Sequence, residues 1–438
     1  MKDRKNLLYG IVITVLVTTI VVLWYLIISN NNSNINGNNL PRMNNTSSVT
    51  TYSSVKKITS NENINSGNYI SKTKDENAIL VSGNIKSTLS NITVTKTGDS
   101  DGGDNTSFYG TNSAIIAKDK ATLNIKNAKI TTNATGANGV FSYGGSATTN
   151  NSTSDNTTIN ISDSTIKTTK DNSGGIMNAI NLNITTAGTS SAAIRSDRGG
   201  GTVTVNKGTY QTSGKGSPVI YSTANITVKN ATLVSTASEG VVIEGKNSVN
   251  LENVKLTDTN NTLNGQSTTY KNIFLYQSMS GDAANGNAVF TSSNSTIITN
   301  KGDSFYITNT TATINLKNNT IINNDSTANF LRIQKDSWGN SGSNGGTVIL
   351  NLTNQKVNGN IVVDSISKLT MNLTNNSSFI GLINENNEGE VSLVLDKTST
   401  ITLTGDTYVK SLSNADSTNS NINLNGYKLY VRGKEYKK

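Results

Sequence analysis

The sequence predicts an all-β solenoid of stacked parallel strands, about eleven or twelve coils long, preceded by one N-terminal transmembrane helix. Three observations carry that expectation. A short phrase recurs along most of the chain, a strictly alternating apolar segment precedes it, and a single long uncharged apolar run lies near the N-terminus.

The phrase is an apolar residue, an Asn two positions on, and a second apolar residue three after that. Leu89, Asn91 and Val94 set it, and Ile125, Asn127 and Ile130 repeat it. Ile161, Asp163 and Ile166 place Asp in the Asn slot, and Val205 to Tyr210 keeps the spacing around Lys207. Val228–Asn230–Leu233, Leu251–Asn253–Leu256, Leu316–Asn318–Ile321 and Leu352–Asn354–Val357 follow. A fixed local spacing at intervals of roughly 23 to 44 residues is the mark of stacked structural repeats.

Leu123–Asn124–Ile125, Ile159–Asn160–Ile161, Leu182–Asn183–Ile184, Val203–Thr204–Val205, Ile226–Thr227–Val228, Val249–Asn250–Leu251 and Ile314–Asn315–Leu316 all read in–out–in. Period-two alternation of branched apolar residues is a half-buried strand, whereas a helix needs apolar residues three and four apart. Between the two anchors of the phrase the chain must turn, and Asn tolerates the left-handed conformation such a turn requires. Stacked turns set one Asn about 4.8 Å above another, so their amides can bond along the stack at the core margin. That ladder resembles the internal ladder of right-handed parallel β-helices. A second set of apolar strands lies ahead of each phrase: Ala114–Ile116, Gly139–Phe141, Ala193–Ile194, Val219–Ile220, Val241–Ile243, Ile273–Leu275, Phe330–Leu331 and Ile361–Val363. Two to three strands per coil predict a stack roughly 50–60 Å long. Unequal coil lengths come from loops such as Ser146–Thr157 and Asn260–Lys271.

Five segments are expected: a cytoplasmic tail (1–6), a transmembrane anchor (7–28), an Asn/Ser/Thr-rich linker (29–71), the β-helix (72–431) and a basic C-terminal tail (432–438). Leu7 to Ile28 is uncharged and long enough to span a bilayer. Lys2, Arg4 and Lys5 precede it and no cation follows until Arg42, so the N-terminus is expected in the cytoplasm and the rest outside. Against a cleaved signal peptide, the run exceeds a usual apolar region and Ser29–Asn32 offers no small-residue cleavage site. Without cysteine, a lipid-modified Cys anchor and disulfides are both excluded. Only two prolines among 37 glycines, and 5% aromatic residues, fit narrow strand-and-turn coils filled by Val, Ile and Leu.

The chain carries a net charge of +9, of which the short tail supplies +2. The remainder is spread thinly, which favours anionic polymers such as teichoic acids or acidic polysaccharides as partners, or simply solubilises the surface. No basic stripe with interleaved aromatics points to nucleic acid. The chain contains no histidine, which removes Ser-His and Cys-His triads, His-bearing zinc sites and imidazole acid–base catalysis.

Enzymatic β-helices remain possible: pectate lyases use Asp-held calcium with Arg or Lys as base, and polygalacturonases use paired Asp carboxylates. Arg332–Ile333–Gln334–Lys335 faintly echoes the Arg-Ile-Lys element of the latter, but their Gly-His-Gly element cannot exist here. The Trp-Ile-Asp-His and Arg-x-Pro-x-x-Arg elements of pectate lyases are absent as well. Asp99, Asp101 and Asp104, in a Gly-rich loop, form a candidate Ca²⁺ site without the order of an EF-hand loop. A mixed row of Asn and Thr at Asn124, Asn160, Asn183, Thr204, Thr227, Asn250 and Asn315 lacks the regular Thr array that ice binding needs.

The candidate ligand face comes from the residue after each buried residue of the leading strand: Arg195, Tyr221, Glu244, Tyr276, Arg332 and Asp364. Strand alternation puts all six on one outward side, with Asp197 and Arg198 beside Arg195 and Trp338 in the loop after Arg332. Tyr and Trp stack on apolar sugar faces, while Arg, Asp and Glu bond hydroxyls. The competing reading of the same residues is a solvated face of paired charges.

Ala192–Gly201, Val242–Ser248, Tyr276–Asp282 and Trp338–Gly346 together resemble a family of uncharacterised bacterial cell-surface right-handed parallel β-helix proteins, likened to adhesins and pectate-lyase-like carbohydrate-binding proteins. The resemblance spans about Asn77 to Val431. It implies a right-handed parallel β-helix, an extracellular setting and a polysaccharide, cell-wall or host glycan as partner. It implies no catalytic residue and no cofactor. The expected function is a membrane-anchored adhesin or polysaccharide-binding module. The alternatives are a lyase or hydrolase acting on acidic glycans, and a surface spacer that binds nothing.

Overall fold

The computed structural model describes residue 49 and residues 51–100, 103–144, 155–174, 179–197, 201–265 and 267–437. The expected cytoplasmic tail and transmembrane anchor, and the expected linker up to residue 48, lie outside them. The described chain is 52% strand and 1% helix, the helix being the single turn Asp104–Ser107. Among the described residues no helix is long and apolar enough to cross a membrane.

One coil shows the plan. A leading strand, Ile220–Ser222, is followed by a middle strand, Asn225–Lys229, a turn at Asn230, and a trailing strand, Thr232–Ser235. Each pairs in parallel with its counterpart in the next coil: Val241–Glu244, Ser248–Glu252 and Lys255–Asp258. Repeated along the chain, this gives long parallel sheets and the architecture of a solenoid rather than a closed barrel. The middle and trailing strands merge into one 22-stranded sheet, because Ala179–Thr186 and Thr202–Thr212 run through the turn unbroken.

The predicted alternation is visible as burial. In the middle sheet Val203, Ile226, Val249, Phe290, Ile314, Leu350, Met371 and Leu393 stack in register and are all fully buried or nearly so. In the trailing sheet the second anchors of the phrase form another buried column: Val94, Ile130, Ile166, Ile184, Tyr210, Leu233, Leu256 and Ile297. Leu182–Asn183–Ile184, expected in the middle set, sits in the trailing set, with Ile184 opposite Ile166 and Tyr210. Its coil is short, and Ala179 takes the middle position opposite Ile161 and Val205.

The turn residue behaves as its chemistry requires. Asn91, Asn127, Asp163, Lys207, Asn230, Asn253, Asn318 and Asn354 all have φ between 47° and 64°. Their amides bond along the stack, with Asn253 Nδ2 donating to Asn230 Oδ1 at 2.7 Å and Asn318 Nδ2 to Asn294 Oδ1 at 2.7 Å. This ladder is exposed, not internal as expected, because the left-handed turn throws the side chain outward. The buried polar column is a different one, closing the trailing strands: Ser71, Lys96, Thr132, Thr168, Thr186, Thr212, Ser235, Asp258 and Thr299. Lys96 stays there by donating to the carbonyls of Thr73 and Gly98 at 2.7 and 2.8 Å.

Both expected boundaries of the stack move outward. Ser53–Ile58, Asn63–Ile64 and Gly67–Ser71, assigned to linker, pair in parallel with Glu76–Ser82, Lys86–Ser90 and Ile92–Lys96. They look like linker in sequence because Val55 and Ile70 are half-exposed, at 50% and 43%. At the other end the expected basic tail folds back. Arg432 and Gly433, with φ of 51° and 72°, form a tight hairpin that lays Lys434–Glu435 antiparallel on Leu429–Val431.

Candidate functional site

The leading sheet carries the predicted face. Ile194–Arg195, Ile220–Ser222, Val241–Glu244, Lys271–Tyr276, Asp303–Thr308, Leu331–Ile333 and Ile361–Val363 form a seven-stranded parallel sheet. The observed outward column runs Arg195, Tyr221, Val242, Phe274, Tyr306, Arg332, Val362. Arg195, Tyr221 and Arg332 therefore share a column as expected. Glu244 and Tyr276 pair with each other two residues further along their strands, on the same side of the sheet. Asp364 lies past its strand end, where its carboxylate accepts the Lys335 N–H at 2.7 Å and ties down a loop.

Val242, Phe274 and Tyr306 were not in the expected set, and they are the centre of the face. They form a second buried apolar cluster outside the main core, at 6%, 4% and 0% exposure, with Tyr221, Tyr276 and Trp338 packed around it half-buried. The signal for them was present in the sequence: Val241–Ile243, Ile273–Leu275 and Phe305–Ile307 are apolar at every position, as in strands buried on both faces. Phe274 stacks on Tyr276 at 4.5 Å between centroids and 14° between planes. Trp338 approaches the same two rings at 5.2 and 5.3 Å, and Tyr306 meets Phe274 edge-on at 5.8 Å.

Two charged groups hold this cluster in place. Lys271 is fully buried, with its ammonium 4.5 Å from the Phe274 centroid and 4.9 Å from that of Tyr306. It donates to Ser267 Oγ and to the Thr269 carbonyl, and Glu239 lies 3.8 Å away. Burial pulls its pKa down, with Glu239 opposing. Glu244, 1% exposed, accepts the Tyr221 hydroxyl at 2.5 Å and the Tyr276 hydroxyl at 3.2 Å on Oε2, and Ser278 Oγ on Oε1. Burial raises the carboxyl above its usual range, hydrogen bonds from Ser278 and Tyr221 draw it back, and Asp282 pushes it up. Both phenols are held well above their ordinary value, by burial first and then by neighbouring groups that include Glu244. They are therefore hydrogen-bond donors at any physiological pH, not bases.

The arginines are committed. Arg195 pairs with Asp197 and donates to the Ser190 carbonyl. Arg332 donates from Nε to Asp303 Oδ2 at 2.5 Å and from Nη1 to Gln334 at 3.3 Å. Arg198 lies outside the described residues. In the candidate calcium loop, Asp99 is engaged by Lys170 Nζ at 2.8 and 2.9 Å and by the Thr135 N–H. Asp101 and the side chain of Asp104 lie outside the described residues. A shallow depression lined by Thr291, Ser293, Asn315, Leu316, Lys317 and Asn351 belongs to the middle sheet.

No family model matches the chain, and comparison with curated proteins and with solved structures gives no match.

Proposed function

We propose that this chain is a right-handed parallel β-helix of bacterial cell-surface type, held to the membrane by Leu7–Ile28 with its coils outside, and that it binds glycan. One observation carries the reading. The partly buried rings of Tyr221, Tyr276 and Trp338 converge on a buried aromatic floor on one face of the leading sheet. Rings held rigid by packing lose little entropy on stacking against a sugar. A lyase or hydrolase acting on acidic glycans gains no support, because both phenols are locked as donors and Glu244 is enclosed. A purely structural spacer would not need aromatic side chains gathered on one outward face.

The test is a glycan array probed with the full chain. A fragment beginning at Lys72 would lose strands of the first coil. The expected result is saturable binding that survives high salt and falls at least about tenfold in Trp338→Ala, a loss of about 1.4 kcal/mol. Weak binding to every anionic polymer, abolished by salt, would leave the charge excess as its sole source and favour the spacer.

A further inference from the structure

Resting on that reading, we infer that the face selects a neutral, hydroxyl-rich polysaccharide over an acidic one. The cations of the cluster are spent within it: Arg195 on Asp197, Lys271 near Glu239, and Arg332 on Asp303. Two further carboxylates, Glu244 and Asp336, have hydroxyl donors, and for Asp336 also the Ser337 N–H, rather than cations as partners. Asp336 Oδ2 accepts the Tyr306 hydroxyl at 2.5 Å and Thr268 Oγ1 at 3.1 Å. The named groups thus amount to five carboxylates against three cations. A uronic acid arriving here meets carboxylates already in place and finds no bidentate arginine to take it, since each described arginine of the face already has a carboxylate.

A neutral chain meets a different surface. Its C–H faces lie against Trp338 and Tyr276. Its hydroxyls can donate to the partly buried Asp336 carboxylate, whose side-chain partners are themselves hydroxyls, which exchange readily. The excess of +9 over the chain as a whole draws acidic polymers to the protein without supplying a site for them here. Lys335, exposed in the loop beside Asp336 and in no ion pair among the described residues, is where such diffuse attraction would reach the rim of the face.

The experiment is affinity electrophoresis of the full chain in two sets of soluble polymers at low and high salt: neutral glucan, mannan and galactan, and the uronic polymers polygalacturonate and alginate. The expected result is retardation by at least one neutral polymer at both salts. Trp338→Ala should weaken it at least about tenfold, a loss of about 1.4 kcal/mol, while Tyr276→Phe, which keeps the ring, should change it much less. Retardation by uronic polymers should vanish at high salt and weaken in Lys335→Gln. Salt-resistant binding of a uronic polymer that is lost in Trp338→Ala would overturn the inference while leaving the glycan reading standing. Absence of retardation by either set would overturn both. An unchanged melting temperature in Trp338→Ala separates loss of binding from loss of fold.

Discussion

At the scale of single residues, the turn slot was legible and the buried polar column was not. A φ near +50° is costly for most side chains and cheap for Asn, so an Asn fixed between two apolar anchors announces a left-handed turn. Thr and Ser at the end of a trailing strand announce nothing, because the same residues cover the surface. Asp258 shows what the column tolerates. It lies in register between Ser235 and Thr299 and is fully buried, with one oxygen accepting the Asn260 N–H at 3.2 Å and the other unpartnered. Burial, with Glu239 adding to it, raises its carboxyl well above the ordinary value of 3.8. The folded state therefore holds a proton that the unfolded chain releases above pH 3.8. Stability from this group is complete below that pH and is lost as pH rises through the folded value. Asp258→Asn, which cannot ionise, should thus unfold at higher urea than the parent protein at pH 7, with the difference shrinking as the pH falls toward 4. An equal difference at both pH values would mean that Asp258 is not held protonated.

At the scale of elements, alternation reveals which side of a strand faces in but not how the strand slides along its neighbour. A shift of two residues leaves every side chain on its own face. That is why Glu244 and Tyr276 were expected in the column between Tyr221 and Arg332, whereas Val242 and Phe274 occupy it, followed by Tyr306 beside Arg332. The end coils were hidden for a related reason. A strand stacked on one side only needs fewer apolar residues, so Ser53–Ile58 and Gly67–Ser71 read as linker. Their contribution is testable. Deleting residues 51–71 would uncover Ile79, Leu89 and Val94 and the open edges of the strands that carry them. An exposed, flat, apolar edge pairs with other chains. The truncated protein should melt at lower temperature than the full chain and self-associate, as read by light scattering against concentration. Unchanged melting and mass would mean that the first coil merely decorates the stack.

At the scale of the whole stack, strands pair only with strands of the coils before and after them, so backbone stability is a sum of coil terms and interface terms, with a few side chains such as Trp338 and Lys170 reaching one coil further. Repetition made this architecture legible from sequence, since one phrase sufficed to place many strands. The candidate site was less legible because it depends on side chains that break the repeat: Trp338 could be named, but Lys271 and Tyr306 gave no pattern to read. The same nearest-neighbour logic predicts how the molecule fails. Leu251 is fully buried in the middle of the stack, between Val228 and Ser292. Truncating such a leucine to Ala costs about 2–5 kcal/mol, and an unpaired carboxylate in its place costs more. In a globular core that penalty would be shared by the whole domain. In a stack it severs the coupling between the coils on either side, which then unfold separately. Hydrogen exchange across a urea series should show residues 77–200 and 300–430 losing protection at one concentration in the parent protein. In Leu251→Asp the two regions should part, the weaker opening first while the other stays protected. Simultaneous loss in the variant would mean that cooperativity extends past nearest neighbours, through a framework that the sheets alone do not supply.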